Sequence, residues 1–197
     1  MEVTAEMVKT LRQQSGAGIM ECKNALKETE GDIEEAITCL RKKGIAKADK
    51  KGGRSTGDGA IGSYIHAGNK VGVLLELKCE TDFVANTDEF RELLKDIAMH
   101  IAAAKPRFTS RDNINSDVLD KEREIFSHQA TEAGKPENII VKIVDGKMSK
   151  FFAENCLLDQ AYIKDGDLTI QELIKQKIAK LGENITVGGF SRFEINR

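Results

Sequence analysis

Apolar residues recur every three or four positions in three separate stretches of residues 1–44, spacing that places them on one face of a helix. These positions are Val3, Met7, Val8 and Leu11; Ile19, Cys22, Ala25 and Leu26; and Ile33, Ala36, Ile37 and Leu40. The third stretch follows Asp32, which has Glu35 three residues on in a capping-box pattern, and stops at Gly44. We therefore predict a module of three short helices that bury one small core.

The next stretch, residues 45–58, has three glycines and almost no large apolar side chain. This composition predicts a flexible linker. A cluster of cations in it has two interpretations, a contact with nucleic acid or an acidic partner, or a solvated linker surface, and the second is the preferred one. The cations are Lys47, Lys50, Lys51 and Arg54.

Apolar and polar positions alternate in the two stretches that follow the linker, which predicts two strands. Gly68 and Asn69 lie between the stretches and favour an antiparallel hairpin. We expect one face of the hairpin to be core, formed by Ile61, Ser63, Ile65, Val71, Val73, Leu75, Leu77 and Cys79. We expect the other face to carry Tyr64, His66, Glu76 and Lys78.

Helical spacing returns after residue 86 and continues, with interruptions, to Gly182, and a last strand is predicted over residues 185–195. Because strands do not alternate regularly with helices, the predicted fold class is α+β, an antiparallel sheet with helices. Residues 59–197 are expected to form this core domain. A sheet with so few strands exposes an edge, which a partner or a second copy of the chain can cover.

Composition argues against several kinds of ligand. The net charge of −2 argues against direct nucleic-acid binding, which needs a basic surface. The four cysteines form no CxxC pair and the three histidines are scattered, so we expect neither a metal nor a cofactor. No stretch is apolar enough to span a membrane, and the N-terminal residues do not resemble a signal peptide. We therefore expect a cytoplasmic protein with reduced thiols.

Sequence motifs of catalysis are also absent. The chain contains no GxxxxGK[ST] phosphate loop, no GxGxxG after a strand and no GxSxG turn. His100 lies on the apolar stripe of its predicted helix and is expected to be a partly buried histidine held by a hydrogen bond. His66 is either a surface residue or a partner contact. No nucleophile, base and oxyanion donor come together, so the prediction is that the protein is not an enzyme.

Asp82 and Phe83 place a carboxylate beside a large aromatic side chain between a predicted core strand and a predicted helix. Two interpretations are open from the residues alone. Phe83 or Val84 packs under the start of the helix as a hydrophobic staple, which residue chemistry favours. Alternatively, Phe83 is exposed on a rigid scaffold, where it is typical of a binding anchor.

Several motifs in the correct order resemble the elongation factor Ts family over essentially the whole chain. The segment Thr81-Asp82-Phe83-Val84-Ala85 matches that family's TDFVA signature. Residues 11–26, with the run GAGIMECKNAL, resemble its LR…TGAGMMDCKKAL segment. Further matches are the runs SYIH at residues 63–66, IAMHIA at 97–102 and GFSRFE at 189–194.

The resemblance implies a fold and a partner. It implies a three-helix module of the ubiquitin-associated type at residues 1–44, a linker at 45–58 and an α+β core at 59–197. It implies promotion of GDP release from elongation factor Tu during translation elongation, with disturbance of the partner's magnesium and phosphate site. Short members of the family are expected to form homodimers, because longer members carry two related core halves and this chain has room for one.

Site residues carried over from the resemblance fall into two groups. Thr81, Asp82, Phe83 and Val84 would act on the magnesium site of the partner's GTPase domain. The other partner contacts implied are Arg12, Ile19, Met20 and His66. For Ile19 and Met20, packing inside the three-helix core is the alternative interpretation. The rival function is an interaction adaptor that binds a protein without promoting nucleotide exchange.

Overall fold

The computed structural model describes residues 3–195, and within them it contains eight α-helices and five β-strands. The helices are α1 (Ala5–Ser15), α2 (Ile19–Glu28), α3 (Ile33–Asp49), α4 (Asp82–Ala85), α5 (Asp88–Ala104), α6 (Ser116–Glu132), α7 (Glu137–Asn155) and α8 (Ile170–Leu181). The strands are β1 (Asp58–Ile65), β2 (Val71–Cys79), β3 (Ala161–Tyr162), β4 (Asp165–Thr169) and β5 (Ile185–Glu194). The α+β fold class is confirmed.

The chain divides into two compact units. The first unit comprises Met1–Ala60, Lys78–Leu93 and Ile174–Thr186. The second unit comprises Ile61–Leu77, Leu94–Leu173 and Val187–Arg197. This division does not coincide with a module at 1–44, a linker at 45–58 and a core at 59–197, which remains a prediction.

Helices α1, α2 and α3 bury a common core in the first unit, as predicted. Its fully buried members are Leu11, Cys22, Ala25, Leu26 and Ala36. The helix boundaries are encoded locally: Asp32 accepts a hydrogen bond of 2.8 Å from the Glu35 backbone N–H at the start of α3, and Gly16 ends α1 with a φ of +66°.

The predicted end of the third helix at Gly44 is wrong, because α3 continues to Asp49. A Cβ added at Gly44 would lie 3.4 Å from the Cβ of Ala179 in α8. Gly44 therefore allows two helices to approach each other, and it does not terminate α3. The first five residues of the predicted flexible linker are consequently helical.

The remainder of the predicted linker is tied to the turn that follows α8. The Lys51 ammonium donates to the Gly182 carbonyl at 2.5 Å, and the Asn184 side chain donates to the Arg54 carbonyl at 2.8 Å. Arg54 also lies 3.5 Å from the carboxylate of Glu80, and Lys47, on α3, pairs with Glu21. Three of the four cations predicted in the linker therefore have partners in the first unit.

Strands β1, β2 and β5 form a three-stranded sheet in the order β1-β2-β5, and β3 pairs with β4 in a separate antiparallel ribbon. Four of the five residues predicted to face the core from β2 are buried, namely Val73, Leu75, Leu77 and Cys79, whereas Val71 is half-buried. The facing predicted for β1 is wrong, because Ile61 is 75% exposed and Ile65 is 59% exposed. In β1 it is Gly62 that lies against a helix, beside Leu94 of α5.

Helices α6 and α7 pack against each other in the second unit. A small apolar cluster surrounds their ends, with Ile114, Met148, Phe151 and Cys156 buried in it. Burial raises the pKa of the Cys156 thiol to about 11, so this thiol is protonated at neutral pH. A capping box starts α8: the Thr169 backbone N–H donates to Glu172 at 3.0 Å, and the Glu172 N–H donates to the Thr169 hydroxyl at 3.2 Å.

Candidate protein-binding surfaces

The sequence Asp82-Phe83-Val84-Ala85 forms the single turn of α4, which projects its aromatic side chain outward. Phe83 is 81% exposed, whereas Val84 is 9% exposed and Ala85 is buried. Asp82 is exposed as well. Each of the two interpretations left open by the sequence therefore applies to one residue. Val84 packs inward, and Phe83 has the exposure of a binding anchor.

Side chains beyond α4 hold this turn in a fixed conformation. The Arg91 guanidinium donates to the Ala85 carbonyl at 2.9 Å and to the Asn86 side chain at 3.0 Å. The Thr87 hydroxyl donates to the Val84 carbonyl at 2.8 Å. These bonds satisfy carbonyl groups at the end of α4, so Phe83 is presented by an ordered turn and not by a loose loop.

The start of the turn is held by Glu183, which follows α8. The Glu183 carboxylate accepts a hydrogen bond of 3.0 Å from the Thr81 backbone N–H and one of 2.6 Å from the Thr81 hydroxyl. The Cys79 thiol donates to the Thr81 carbonyl at 3.1 Å. Burial, more than any other cause, raises the pKa of Cys79, which keeps this donor protonated. Glu183 could not be predicted from the sequence, because no local pattern links it to Thr81, 102 positions away.

A second exposed apolar pair lies at the start of α2. Ile19 is 55% exposed and Met20 is 64% exposed, so these side chains do not pack inside the three-helix core. The turn before them is closed by Glu21, whose carboxylate accepts a hydrogen bond of 3.2 Å from the Gly18 N–H. A hydrogen bond from Lys47, together with the Gly18 N–H, lowers the pKa of Glu21 and keeps it ionised.

An open pocket of about 530 Å³ adjoins these residues in the three-helix region. Its lining combines apolar and cationic side chains, namely Val3, Ala5, Val8, Lys9, Arg12, Ile19 and Lys23. An apolar floor with three cations beside it suits an apolar side chain that is flanked by carboxylates. Arg12 and Ile19, which were predicted as partner contacts of one module, both line this pocket.

His66 is exposed at the end of β1 and belongs to the second unit, unlike the other seven predicted site residues. Its ring Nδ1 lies 3.1 Å from the Tyr64 hydroxyl. Its backbone N–H donates to the Val71 carbonyl at 2.9 Å, which fixes its place in the hairpin turn. The exposed imidazole is therefore held on an ordered backbone.

His100 is fully buried in the second unit, and it was expected to be only partly buried. Its Nε2 lies 2.9 Å from the Gln160 side-chain oxygen. The Gln160 amide nitrogen donates to the Glu154 carbonyl at 2.8 Å, which orients the oxygen to accept from the His100 Nε2–H. Burial lowers the pKa of His100, so the imidazole is neutral at pH 7. His100 is thus part of the core.

Within residues 3–195, no three histidine, cysteine or acidic side chains are grouped so that they could hold a metal ion. Also within this range, every helix is too short or too polar to cross a membrane.

Comparison with known proteins decides which family has this arrangement. The model of the family described as Elongation factor TS matches residues 1–197. The chain belongs to the elongation factor Ts family. This confirms the resemblance found in the sequence motifs, and membership supports a nucleotide-exchange role toward elongation factor Tu in translation elongation.

Individual elongation factor Ts sequences align with the chain over nearly its full length. That of Fervidobacterium nodosum is 55% identical over 195 residues, covering 99% of each chain. That of Syntrophomonas wolfei is 55% identical over 193 residues, covering 98% of this chain and 90% of its own. That of Thermosipho melanesiensis is 53% identical over 193 residues, covering 98% of both. The similarity therefore extends over both compact units.

Proposed function

We propose that this elongation factor Ts family member releases GDP from elongation factor Tu by inserting the Phe83 side chain between helices of the partner's GTPase domain. The observation that carries this proposal is the 81% exposure of Phe83 on a turn held by hydrogen bonds at both ends. A preorganised aromatic side chain loses little conformational freedom on binding and can act as an anchor. In the proposed complex, the neighbouring Asp82 carboxylate makes polar contacts near the ends of those helices of the partner's GTPase domain.

Exchange requires differential binding and no covalent chemistry in this chain. A factor that binds the nucleotide-free GTPase more strongly than the GDP complex must weaken GDP binding by the same ratio. Displacement of partner groups that support magnesium achieves this weakening, since the ion and the phosphates are bound together. In this proposal Thr81 and Val84 fix the turn, while Asp82 and Phe83 contact the partner. The protein itself needs no cofactor.

The three-helix region supplies a second contact with the GTPase domain in this proposal. Ile19 and Met20 present exposed apolar surface, and Arg12 lies in the pocket beside Lys9 and Lys23. Such a surface complements a partner helix that carries apolar residues and carboxylates. Two contacts from the first unit, through α4 and through this pocket, would determine how the factor is oriented on the GTPase domain.

A homodimer is proposed through the outer sheet face, which we define by five exposed residues of the second unit. They are Ile61, Ile65, Leu74, Phe193 and Ile195, each at least 50% exposed. Contiguous apolar surface on a sheet favours burial against a partner. A second copy of the chain supplies the same apolar surface, as short family members are expected to require. His66 would then contact a different domain of elongation factor Tu.

Binding calorimetry with elongation factor Tu in two states tests the exchange proposal. We expect the nucleotide-free partner to bind at least about tenfold more tightly than the GDP complex, because linkage demands that preference. Equal affinity for both states would instead support an adaptor that binds without exchange. Absence of binding to either state would reject elongation factor Tu as the partner. It would also remove the reason to place the protein in cytoplasmic translation.

A further inference from the structure

The turn after α8 makes contacts on two sides. On one side, the Glu183 carboxylate accepts both the N–H and the hydroxyl of Thr81, at 3.0 and 2.6 Å. On the other side, the Asn184 backbone N–H donates to the Glu80 carboxylate at 2.6 Å, and its side chain donates to the Arg54 carbonyl at 2.8 Å. Two consecutive residues thus bind two consecutive residues that immediately precede α4.

The bond to Glu183 changes how α4 begins. Thr81 stands at the N-cap position of α4 with extended backbone angles, φ −136° and ψ 158°, but its side chain caps no backbone N–H. A threonine at this position ordinarily accepts from an N–H of the first turn. Here the hydroxyl donates to Glu183 instead, so the residue at the start of α4 is bound to a carboxylate that is distant in the sequence.

Two charge-assisted hydrogen bonds that meet at one carboxylate restrain both the backbone and the side chain of Thr81. The next two residues are Asp82 and Phe83, whose side chains are exposed. Arg91 and Thr87 hold the far end of α4, and Glu183 holds the residue that directly precedes the exposed pair.

We propose that Glu183 is a positioning residue for nucleotide exchange, which fixes the Asp82-Phe83 pair in its binding orientation through Thr81. This inference rests on the exchange function proposed above. Glu183 acts without touching the nucleotide, and its effect passes through the α4 turn. Preorganisation of this kind strengthens binding because the turn need not be ordered when the partner arrives.

Glu183→Ala is the direct test, because it removes both acceptors of Thr81. We expect exchange at sub-saturating factor to fall at least about tenfold, the range for loss of hydrogen bonds to a charged group. Glu183→Gln should restore most of the rate, since its amide oxygen can accept the Thr81 N–H while its amide nitrogen donates to the hydroxyl. Glu92→Ala is the matched control; Glu92 lies on α5, where Lys177 pairs with it at 3.7 Å, and exchange should be unchanged.

A double-mutant cycle with Phe83→Ala separates positioning from general destabilisation. If Glu183 acts through α4, Glu183→Ala should lower exchange little further once Phe83 is absent. A reduction by the same factor in both backgrounds would overturn the proposal, as would a Glu183→Ala rate equal to that of the unchanged protein. Failure of Glu183→Gln to restore exchange would also contradict it, because that result indicates a direct role for the charge.

Hydrogen exchange of the Thr81 amide provides a readout that needs no partner. Glu183→Ala should accelerate exchange of this amide, while amides in the buried part of α2 keep their protection, which also shows that the variant folds. An unchanged Thr81 amide would refute the positioning role. If the unchanged protein fails to release GDP from elongation factor Tu, the exchange function fails by itself, and the amide measurement still reports whether Glu183 orders the turn.

Discussion

A Cβ atom added at Gly62 in β1 would lie 2.6 Å from Cγ of Leu94 in α5, closer than two nonbonded carbon atoms approach. Leu94 is 5% exposed and has little room to move away. We expect Gly62→Ala to lower the free energy of unfolding by about 1–3 kcal/mol, the range for overpacking a core. Urea denaturation followed by circular dichroism measures this change.

Gly53→Ala is the control for that substitution, because a Cβ at Gly53 meets no atom within 4 Å. Its effect on the free energy of unfolding should stay within about 0.5 kcal/mol. Adding Leu94→Val to Gly62→Ala should recover part of the lost free energy of unfolding, because the smaller side chain leaves room for the new Cβ at position 62. Equal effects of the two alanine substitutions would contradict the close approach of β1 to α5.

Phe83→Ala should separate exchange from stability. Loss of a binding anchor costs about 2 kcal/mol or more, which corresponds to a decrease of at least about 30-fold in kcat/KM for GDP release. Because Phe83 is 81% exposed, the free energy of unfolding should change by less than about 0.5 kcal/mol. Ile163→Ala, at another exposed apolar residue, serves as the control and should alter neither quantity.

The outer sheet face predicts the oligomeric state. Phe193 is 66% exposed at its edge, and Phe193→Glu would place a charge in the proposed dimer interface. Sedimentation at micromolar concentration should show a dimer for the unchanged protein and a monomer for this variant. Val141→Glu, on the exposed surface of α7, should remain dimeric. If the protein without substitutions sediments as a monomer, the proposed homodimer is wrong.

The free energy of unfolding should decrease as the pH is lowered through the range in which His100 takes up a proton. Burial lowers the pKa of His100 from its ordinary 6.5, so below pH 6.5 the unfolded state binds more protons than the folded state. The stabilisation is complete above pH 6.5 and is lost as the pH falls toward the folded pKa, with a slope of at most about 1.4 kcal/mol per pH unit. Denaturation curves between pH 7 and pH 5 measure it.

His100→Gln should flatten that dependence, while His128→Gln, at an exposed position near Glu132, should preserve it. Carboxylates contribute at lower pH: hydrogen bonds from Arg192 and Lys105 lower the pKa of Glu194 to about 2, so its contribution is lost only below about pH 4.5. An unchanged slope in His100→Gln would show that the buried imidazole does not cause it.

Local patterns in the sequence predicted much of the fold. The Asp32 cap of α3 was predicted from Asp32 and Glu35, three residues apart, and it is present. The buried face of β2 also followed from its strict alternation. Such signals depend on neighbours in the chain, so a single sequence contains them.

Features that depend on distant residues could not be predicted in this way. Gly44 does not end α3, because it permits contact with Ala179. Ile61 faces outward, although its alternation indicated a core position, because Gly62 faces α5. In the candidate site, Phe83 was predicted as a partner contact from a family motif, whereas its exposure is known only from the structure. Glu183 reaches Thr81 across 102 positions in sequence, beyond any periodic pattern.

The central claim is catalysed nucleotide exchange on elongation factor Tu. Stopped-flow release of fluorescent GDP from purified elongation factor Tu tests it most directly, with this protein added at less than one molecule per ten of the partner. We predict that release of the whole GDP population accelerates in proportion to the added protein, because each factor molecule acts repeatedly. Release at the uncatalysed rate, from protein shown by circular dichroism to be folded, would contradict the account.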